Sequence, residues 1–329
     1  MILLERNKNF WLKDAAGNQL PYVDKVEWAV VPDANNRVLK LQAGEIDIAE
    51  DIPANQVTAL KGAAGIDVRT TPLMGTGTVI LNMGKFSDPK VRQALNYAFD
   101  KRAVRQLYYG KDAIETKATL VNPTLWNFEK EAWQAAWDAL PNYDQDLAKA
   151  KQLLDESGVA DQLNGKTIAY YESTPSIKGA AEAFIADMAK LGITIEARKV
   201  TYQESVALQF GEHNDYDLMV GTWGSDFPDP SGNLRPNFGS ENIAAGGANA
   251  SAYQNAKVDE LLQQQDAIPN DKAQRAKLLI EAQRLIAEDS PVLVTAYPGW
   301  PLAVNKRLGG VEAASLWYWQ SLFKNVYVK

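Results

Sequence analysis

Two aromatic and two acidic side chains crowd into the segment Tyr216–Gly239, which reads YDLMVGTWGSDFPDPSGNLRPNFG. They are Trp223, Asp226, Phe227 and Asp229. An aromatic wall supplies apolar contact, and a partly desolvated carboxylate can hold a cationic group through charge-assisted hydrogen bonds. The segment opens as a short apolar strand, Asp217 to Val220, and then breaks into a loop where Gly and Pro recur. In open α/β sheets the crevice beyond the strand ends is where ligands bind. The plain alternative is a surface turn in which Trp223 caps a core, because Asp, Gly and Pro all favour turns. Asp226 and Asp229 could also be imagined as an acid and base for glycoside cleavage. Closeness in sequence fixes no separation between two carboxyl groups, however, and Asp229, which precedes Pro230, is better suited to capping a turn.

Few other chemistries are open to this chain. It has no cysteine and a single histidine, His213, so disulfides, thiol nucleophiles, Cys-type zinc sites and multi-histidine metal sites are excluded. His213 lies in a polar run and reads as a solvated helix end. Gly75-Thr76-Gly77 lacks the third glycine of a dinucleotide fingerprint, and there is no P-loop and no Gly-x-Ser-x-Gly elbow. Trp126, Trp133 and Trp137 could form a sugar platform, but residues of this kind more often anchor a core.

Composition sets the frame. At 329 residues, with 46% hydrophobic and 23% charged residues, the chain is long enough for two lobes with sizeable cores. A net charge of -7 without any basic run argues against nucleic acid as a partner. No stretch approaches the ~20 apolar residues of a membrane-spanning helix. Met1-Ile2-Leu3-Leu4 is followed at once by Glu5, Arg6 and Lys8, which is not a signal peptide. By itself this reads as a cytoplasmic chain, or as a fragment without its leader.

The elements that must position the Trp223 segment alternate between strand and helix. Strands are expected at 26–31, 46–49, 66–70 and 78–83, the last two flanking a turn at Gly75 and Gly77, with helices at 35–43 and 54–61. Asp88-Pro89 starts a helix, and a second runs from Lys101 to Tyr109. Residues 122–142 read as irregular with a short helix, and Asp144 opens another helix that stops at Gly158. Strand 166–172, helix 175–190, strand 193–200 and helix 203–211 then lead into the strand before Trp223. Helices follow at 256–267 and 272–288, then a strand at 292–296. Residues 315–329, with Trp317, Tyr318, Trp319 and Phe323, look like a docking tail. If 81–86 and 297–305 are crossovers, residues 84–297 form one lobe inserted into another made of 1–83 and 298–329.

Seven segments carry a resemblance. They are Leu4-Glu5-Arg6-Asn7-Lys8-Asn9-Phe10-Trp11; Pro21-Tyr22-Val23-Asp24-Lys25-Val26; residues 41–49 (LQAGEIDIA); residues 88–95 (DPKVRQAL); Ala98-Phe99-Asp100-Lys101-Arg102; residues 223–230 (WGSDFPDP); and Val258-Asp259-Glu260-Leu261-Leu262. In these motifs, and in their order, the chain resembles the family 5 extracytoplasmic solute-binding proteins of ABC importers, the dipeptide, oligopeptide and nickel binders. The resemblance implies an α/β, periplasmic-binding-protein-like (type II) two-lobe architecture, with the second lobe complete and the first partial. It implies a periplasmic or extracytoplasmic, non-enzymatic, monomeric protein without a cofactor, which holds a di- or oligopeptide between its lobes and hands it to ABC permease subunits. Asp226 matches the aspartate that pairs with the ligand's α-amino group, and Trp223 matches the aromatic of the same cleft. Gly224, Ser225 and Phe227 complete the implied ligand-binding set. One departure stands out: some oligopeptide binders carry an arginine three residues before this tryptophan, where this chain has Val220, so a carboxylate clamp at that point is absent.

Overall fold

The computed structural model describes all residues except 51, 53, 111–112, 142, 212–214 and 313–322, along with all but the side chain of residue 54. His213 and the Trp317-Tyr318-Trp319 run of the expected docking tail lie outside the described residues.

In chain order, β1 (Ile2–Glu5), β2 (Lys25–Trp28), α1 (Ala34–Gln42), β3 (Ile48–Glu50), α2 (Ala54–Lys61) and β4 (Ile66–Pro72) come first. Next are β5 (Gly75–Leu81), α3 (Pro89–Ala98), α4 (Lys101–Tyr109), α5 (Lys130–Ala139) and α6 (Leu147–Ser157). β6 (Lys166–Tyr170), α7 (Pro175–Ala189), β7 (Ile195–Lys199) and α8 (Tyr202–Phe210) lead to β8 (Leu218–Gly224) and α9 (Ser231–Phe238). α10 (Ala256–Asp266), α11 (Lys272–Asp289), β9 (Val292–Ala296), β10 (Gly299–Asn305), β11 (Leu308–Gly309) and β12 (Tyr327–Val328) finish the chain.

The chain forms two compact units, Met1–Leu73 with Gly299–Lys329, and Met74–Pro298. The first passage between them therefore falls before β5, not in the expected stretch 81–86. The reason is burial: every residue of β5 is buried, inside the sheet of the second unit. The expected crossover 297–305 is largely β10, a strand of the first unit. There β10 lies between β3 and β4, antiparallel to both. Ala303 packs with Val38, Leu41, Leu60 and Ile66 under α1 and α2, while Leu302 and Val304 meet Val311 and Val326 in a second cluster.

The second unit is built on a five-stranded sheet in the order β7-β6-β8-β5-β9. β6 runs parallel to β7 and β8, and β5 is antiparallel to β8 and β9. Side chains alternate between two cores. Val79, Leu81, Leu218 and Val220 join Leu95, Phe99, Phe184 and Met188 on one face. Ile80 and Met219 join Leu208, Tyr216 and Ala250 on the other. A stretch buried on both faces has no polar side to show, which is why Val79–Leu81 of β5 and Leu218–Val220 of β8 are continuous apolar runs. Local signals place the helices around this sheet. Asp88 caps Lys90 N–H ahead of Pro89, Thr201 and Glu204 form a capping box, and Gly158 ends α6 in the left-handed conformation. The three tryptophans of 122–142 are buried: Trp126 and Trp137 meet edge to face at 5.7 Å, and Trp133 is fully enclosed. They are packing anchors and not a sugar platform.

Asp217 fixes the entry to β8. Its carboxylate accepts from Thr167 N–H (3.0 Å) and Thr167 Oγ1 (3.1 Å), and it pairs with Lys166 at 3.3 Å and Lys85 at 3.5 Å. Burial pushes this carboxyl up, but the Thr167 amide and the two lysines outweigh it and hold it below the ordinary aspartate range. A depressed carboxylate adds stability that is present above the unfolded pKa and is lost as pH falls through the folded one. Asp217→Asn is therefore expected to cost roughly 1–2 kcal/mol at neutral pH and little once the pH is below the aspartate range, as read from urea unfolding across pH.

The turn expected at Gly75 and Gly77 is instead strand. Gly75 pairs with Gly224 and Gly77 with Thr222, and a Cβ on Gly77 would lie 2.6 Å from Thr295 Oγ1 of β9. Glycine is required here by close strand approach and not by turn geometry. Gly77→Val should destabilise the protein by about 1–3 kcal/mol in urea unfolding; an unchanged midpoint would return Gly77 to an open turn.

Candidate functional site

Exposure rises along β8 as it leaves the core. Leu218 to Gly221 are buried, Thr222 is exposed, and Trp223 and Gly224 are half-buried. The strand does not stop at Val220 as expected. It continues to Gly224 because β5 offers partners all the way: Trp223 faces Thr76, Gly224 faces Gly75, and Ser225 N–H donates to the Met74 carbonyl at 3.2 Å. Trp223 thus stands on a sheet strand rather than a loop. Val220 sits opposite Val79, 1% exposed, in the core. Its side chain takes no part in the turn beyond Trp223.

The segment after the turn, expected as loop, is the helix α9, in spite of Pro236 in its interior. A proline leaves the carbonyl four residues earlier without its helical N–H partner. That carbonyl belongs to Gly232, and it accepts the Trp223 indole Nε1–H at 3.3 Å. The apparent helix breaker therefore frees the acceptor that orients Trp223. The same Gly232 lets α9 press onto the turn, since a Cβ there would lie 2.2 Å from Ser225 Oγ and 3.2 Å from the Phe227 ring. Phe210 of α8 lies beside the indole, with ring centroids 6.4 Å apart.

Within the turn the polar groups have different fates. Ser225 is 1% exposed, and its hydroxyl donates to the Phe227 carbonyl at 2.7 Å. It orders the turn and offers no hydroxyl outward. Asp229 accepts from Ser231 N–H (2.9 Å) and Oγ (2.7 Å), the Asx-type cap expected before a proline. It also receives both terminal nitrogens of Arg275 at 3.1 Å. Arg275 in turn donates to Gln265 Oε1 at 3.1 and 2.9 Å and lies 5.1 Å over the Phe128 ring. With both side chains largely buried, this fork is a rigid clamp from α10 and α11 onto the turn. Asp229 is fully engaged, so the acid–base pairing of Asp226 with Asp229 fails.

Asp226 differs. It is exposed and, among the described residues, takes no hydrogen bond and no ion pair. Phe227 beside it is 49% exposed. The structure thus gathers a free carboxylate, an exposed phenyl ring and the edge of a fixed indole at the end of one strand. Arg275 and Gln265 had no signal in sequence, being far from the turn along the chain and ordinary members of helical faces. Among the described residues no group of three or more acidic or histidine side chains could hold a metal ion, and no helix is long and apolar enough to cross a membrane.

A sequence profile described as the bacterial extracellular solute-binding proteins, family 5 Middle, matches residues 1–245. The heme-binding protein A of Haemophilus influenzae is 30% identical over 304 residues, which is 90% of this chain and 52% of that protein. A probable di/tripeptide-binding protein 5 of Pseudomonas aeruginosa is 29% identical over 285 residues, 84% of this chain and 51% of its own length. In three dimensions the chain is similar to the periplasmic binding protein DppA of Helicobacter pylori, solved with the peptide STSA. The TM-score is 0.82 at 25% identity, over 99% of this chain and 60% of that one. The chain thus spans about half the length of the curated relatives it matches.

The two aspartates should separate cleanly by mutation. Asp229→Ala strands Arg275 in a largely buried setting and is expected to cost about 2–4 kcal/mol in chemical denaturation. Asp226→Ala, removing an unpaired surface group, should stay within about 0.5 kcal/mol of the parent. Equal costs for the two would contradict the assignment.

Proposed function

The chain belongs to the bacterial extracellular solute-binding proteins of family 5, and from that membership we propose that it is the ligand-capturing part of an ABC import system, with a di- or oligopeptide as its ligand. In this reading Asp226 receives the α-amino group of the peptide. Trp223 and Phe227 form the apolar wall, and the Gly224 backbone allows close approach. The observation that carries it is the free Asp226 carboxylate, held in place by a turn whose other polar groups are satisfied internally. A charge-assisted hydrogen bond contributes about 1.5–3 kcal/mol, and exclusion of water by the indole favours the upper end. Peptide backbone could add strand-edge hydrogen bonds, which give affinity without reading side chains.

The peptide reading is supported by the di/tripeptide-binding relative and by the peptide-bound structural neighbour. Membership of a family of binding proteins, together with the engagement of Asp229 by Arg275, sets aside the carbohydrate hydrolase. We place the protein outside the cytoplasm, delivering its ligand to membrane permease subunits, and acting by binding and not by catalysis. Ligand binding would shift a conformational equilibrium only as far as its differential affinity for the two states allows.

Isothermal calorimetry with a mixture of di- and tripeptides, and separately with hemin, tests this. Peptides should bind, and Asp226→Asn should weaken them by about 10- to 100-fold. An unchanged dissociation constant would remove Asp226 from the site. Binding of hemin alone would replace the peptide as the ligand class.

A further inference from the structure

A second polar cavity lies elsewhere in the Met74–Pro298 unit, against β9, the edge strand of its sheet. It encloses about 500 Å³ and is lined by Lys101, Arg102 and Arg105 of α4, by Glu115 and Lys117 in the loop that follows, and by Tyr143. That volume is in the range that holds a small organic ligand. Arg102 and Arg105 are three residues apart on α4, so their side chains share one face of the helix.

Four basic and three acidic side chains line the cavity. Among the described residues neither arginine forms an ion pair, and the Arg105 Nε is buried with no hydrogen-bond partner. Buried guanidinium N–H groups are normally satisfied, so an acceptor is missing. Lys101 is buried as well, and its ammonium donates to the Asn96 carbonyl (2.6 Å), Asn96 Oδ1 (2.7 Å) and the Tyr143 carbonyl (2.6 Å). All its donors are taken, and burial pushes its pKa down to about 7. Two acids also line the cavity beside Glu115, namely Asp100 and Asp144. The Asp100 carboxylate is committed to capping α4 through Ala103 N–H at 2.9 Å. Among the described residues Glu115 has no hydrogen-bond or ion-pair partner, and it stands as the internal competitor for the arginines.

We propose that this cavity is a second ligand site, separate from the Trp223–Asp226 turn, which takes a small molecule bearing an oxyanion, a carboxylate or phosphate group, in the guanidinium forks of Arg102 and Arg105. The planar fork of a guanidinium matches two acceptor oxygens at once. Tyr143 and Val294 also line the cavity.

The test is a titration of the whole chain with inorganic phosphate and, separately, with succinate, followed by calorimetry and by the arginine Nε–Hε resonances. At least one probe should bind saturably and shift the Arg105 signal. Arg105→Gln should weaken that probe at least tenfold, Arg105→Lys should fall between the two, and Glu115→Gln should tighten it severalfold. Thermal melting confirms that each variant folds. If Arg105→Gln does not fold, the Arg105 resonance of the parent protein decides alone. Saturable binding of phosphate or of succinate identifies which oxyanion the site prefers. The absence of saturable binding by both, an unmoved Arg105 signal, or full binding by a folded Arg105→Gln variant would overturn the proposal.

Discussion

The bidentate contact between Asp229 and Arg275 is the constraint on which the candidate site depends. A turn of Gly, Ser, Asp and Pro has little intrinsic reason to hold one shape, because its backbone entropy is high and its side chains are short. Here α11 reaches across with a guanidinium that Gln265 and Phe128 already fix in orientation, and it grips the second aspartate of the turn at two points. With that carboxylate neutralised and the Ser225 hydroxyl turned back onto the Phe227 carbonyl, the internal needs of the turn are met. Asp226 is left over. An unpaired charge on a rigid support keeps its capacity for a ligand and loses little entropy when one arrives.

A second layer of the same logic holds Trp223. The strand that carries it extends past the core only because β5 supplies a ladder of partners up to Gly75, and β5 can lie there only because Gly77 lets β9 approach. Beyond the strand, Pro236 denies Gly232 its helical hydrogen bond and so leaves a carbonyl for the indole. Gly77 and Gly232 thus bring two elements closer than a side chain would permit, while Pro236 frees an acceptor.

Much of this was legible in the amino-acid order, and the rest was hidden for definable reasons. Helix starts written in caps, such as Asp88-Pro89, and stops written in glycine, such as Gly158, were readable because they are local. So was the alternation of strand and helix between Lys166 and Phe210, where apolar periodicity is strong. The glycines of β5, the last residues of β8 and the helix α9 were misread because Gly and Pro mean turn unless a neighbour in space requires them. The Arg275 clamp was invisible, since nothing in one sequence links an arginine in a late helix to an aspartate in an earlier turn. The motif around Trp223 was readable as a candidate site, and so was the turn-capping role of Asp229 before Pro230. What could not be read is that α11 reaches the same carboxylate and leaves Asp226 exposed and free.

The central claim is that Asp226 meets a ligand's ammonium group, and a double-mutant cycle tests it most directly. Calorimetry would compare a dipeptide with its N-acetylated form on the parent protein and on Asp226→Asn. If the carboxylate and the amino group meet, either change alone should weaken binding by about tenfold or more, and the two together should weaken it hardly further. Losses that simply add would mean that the two groups never touch and would contradict the account.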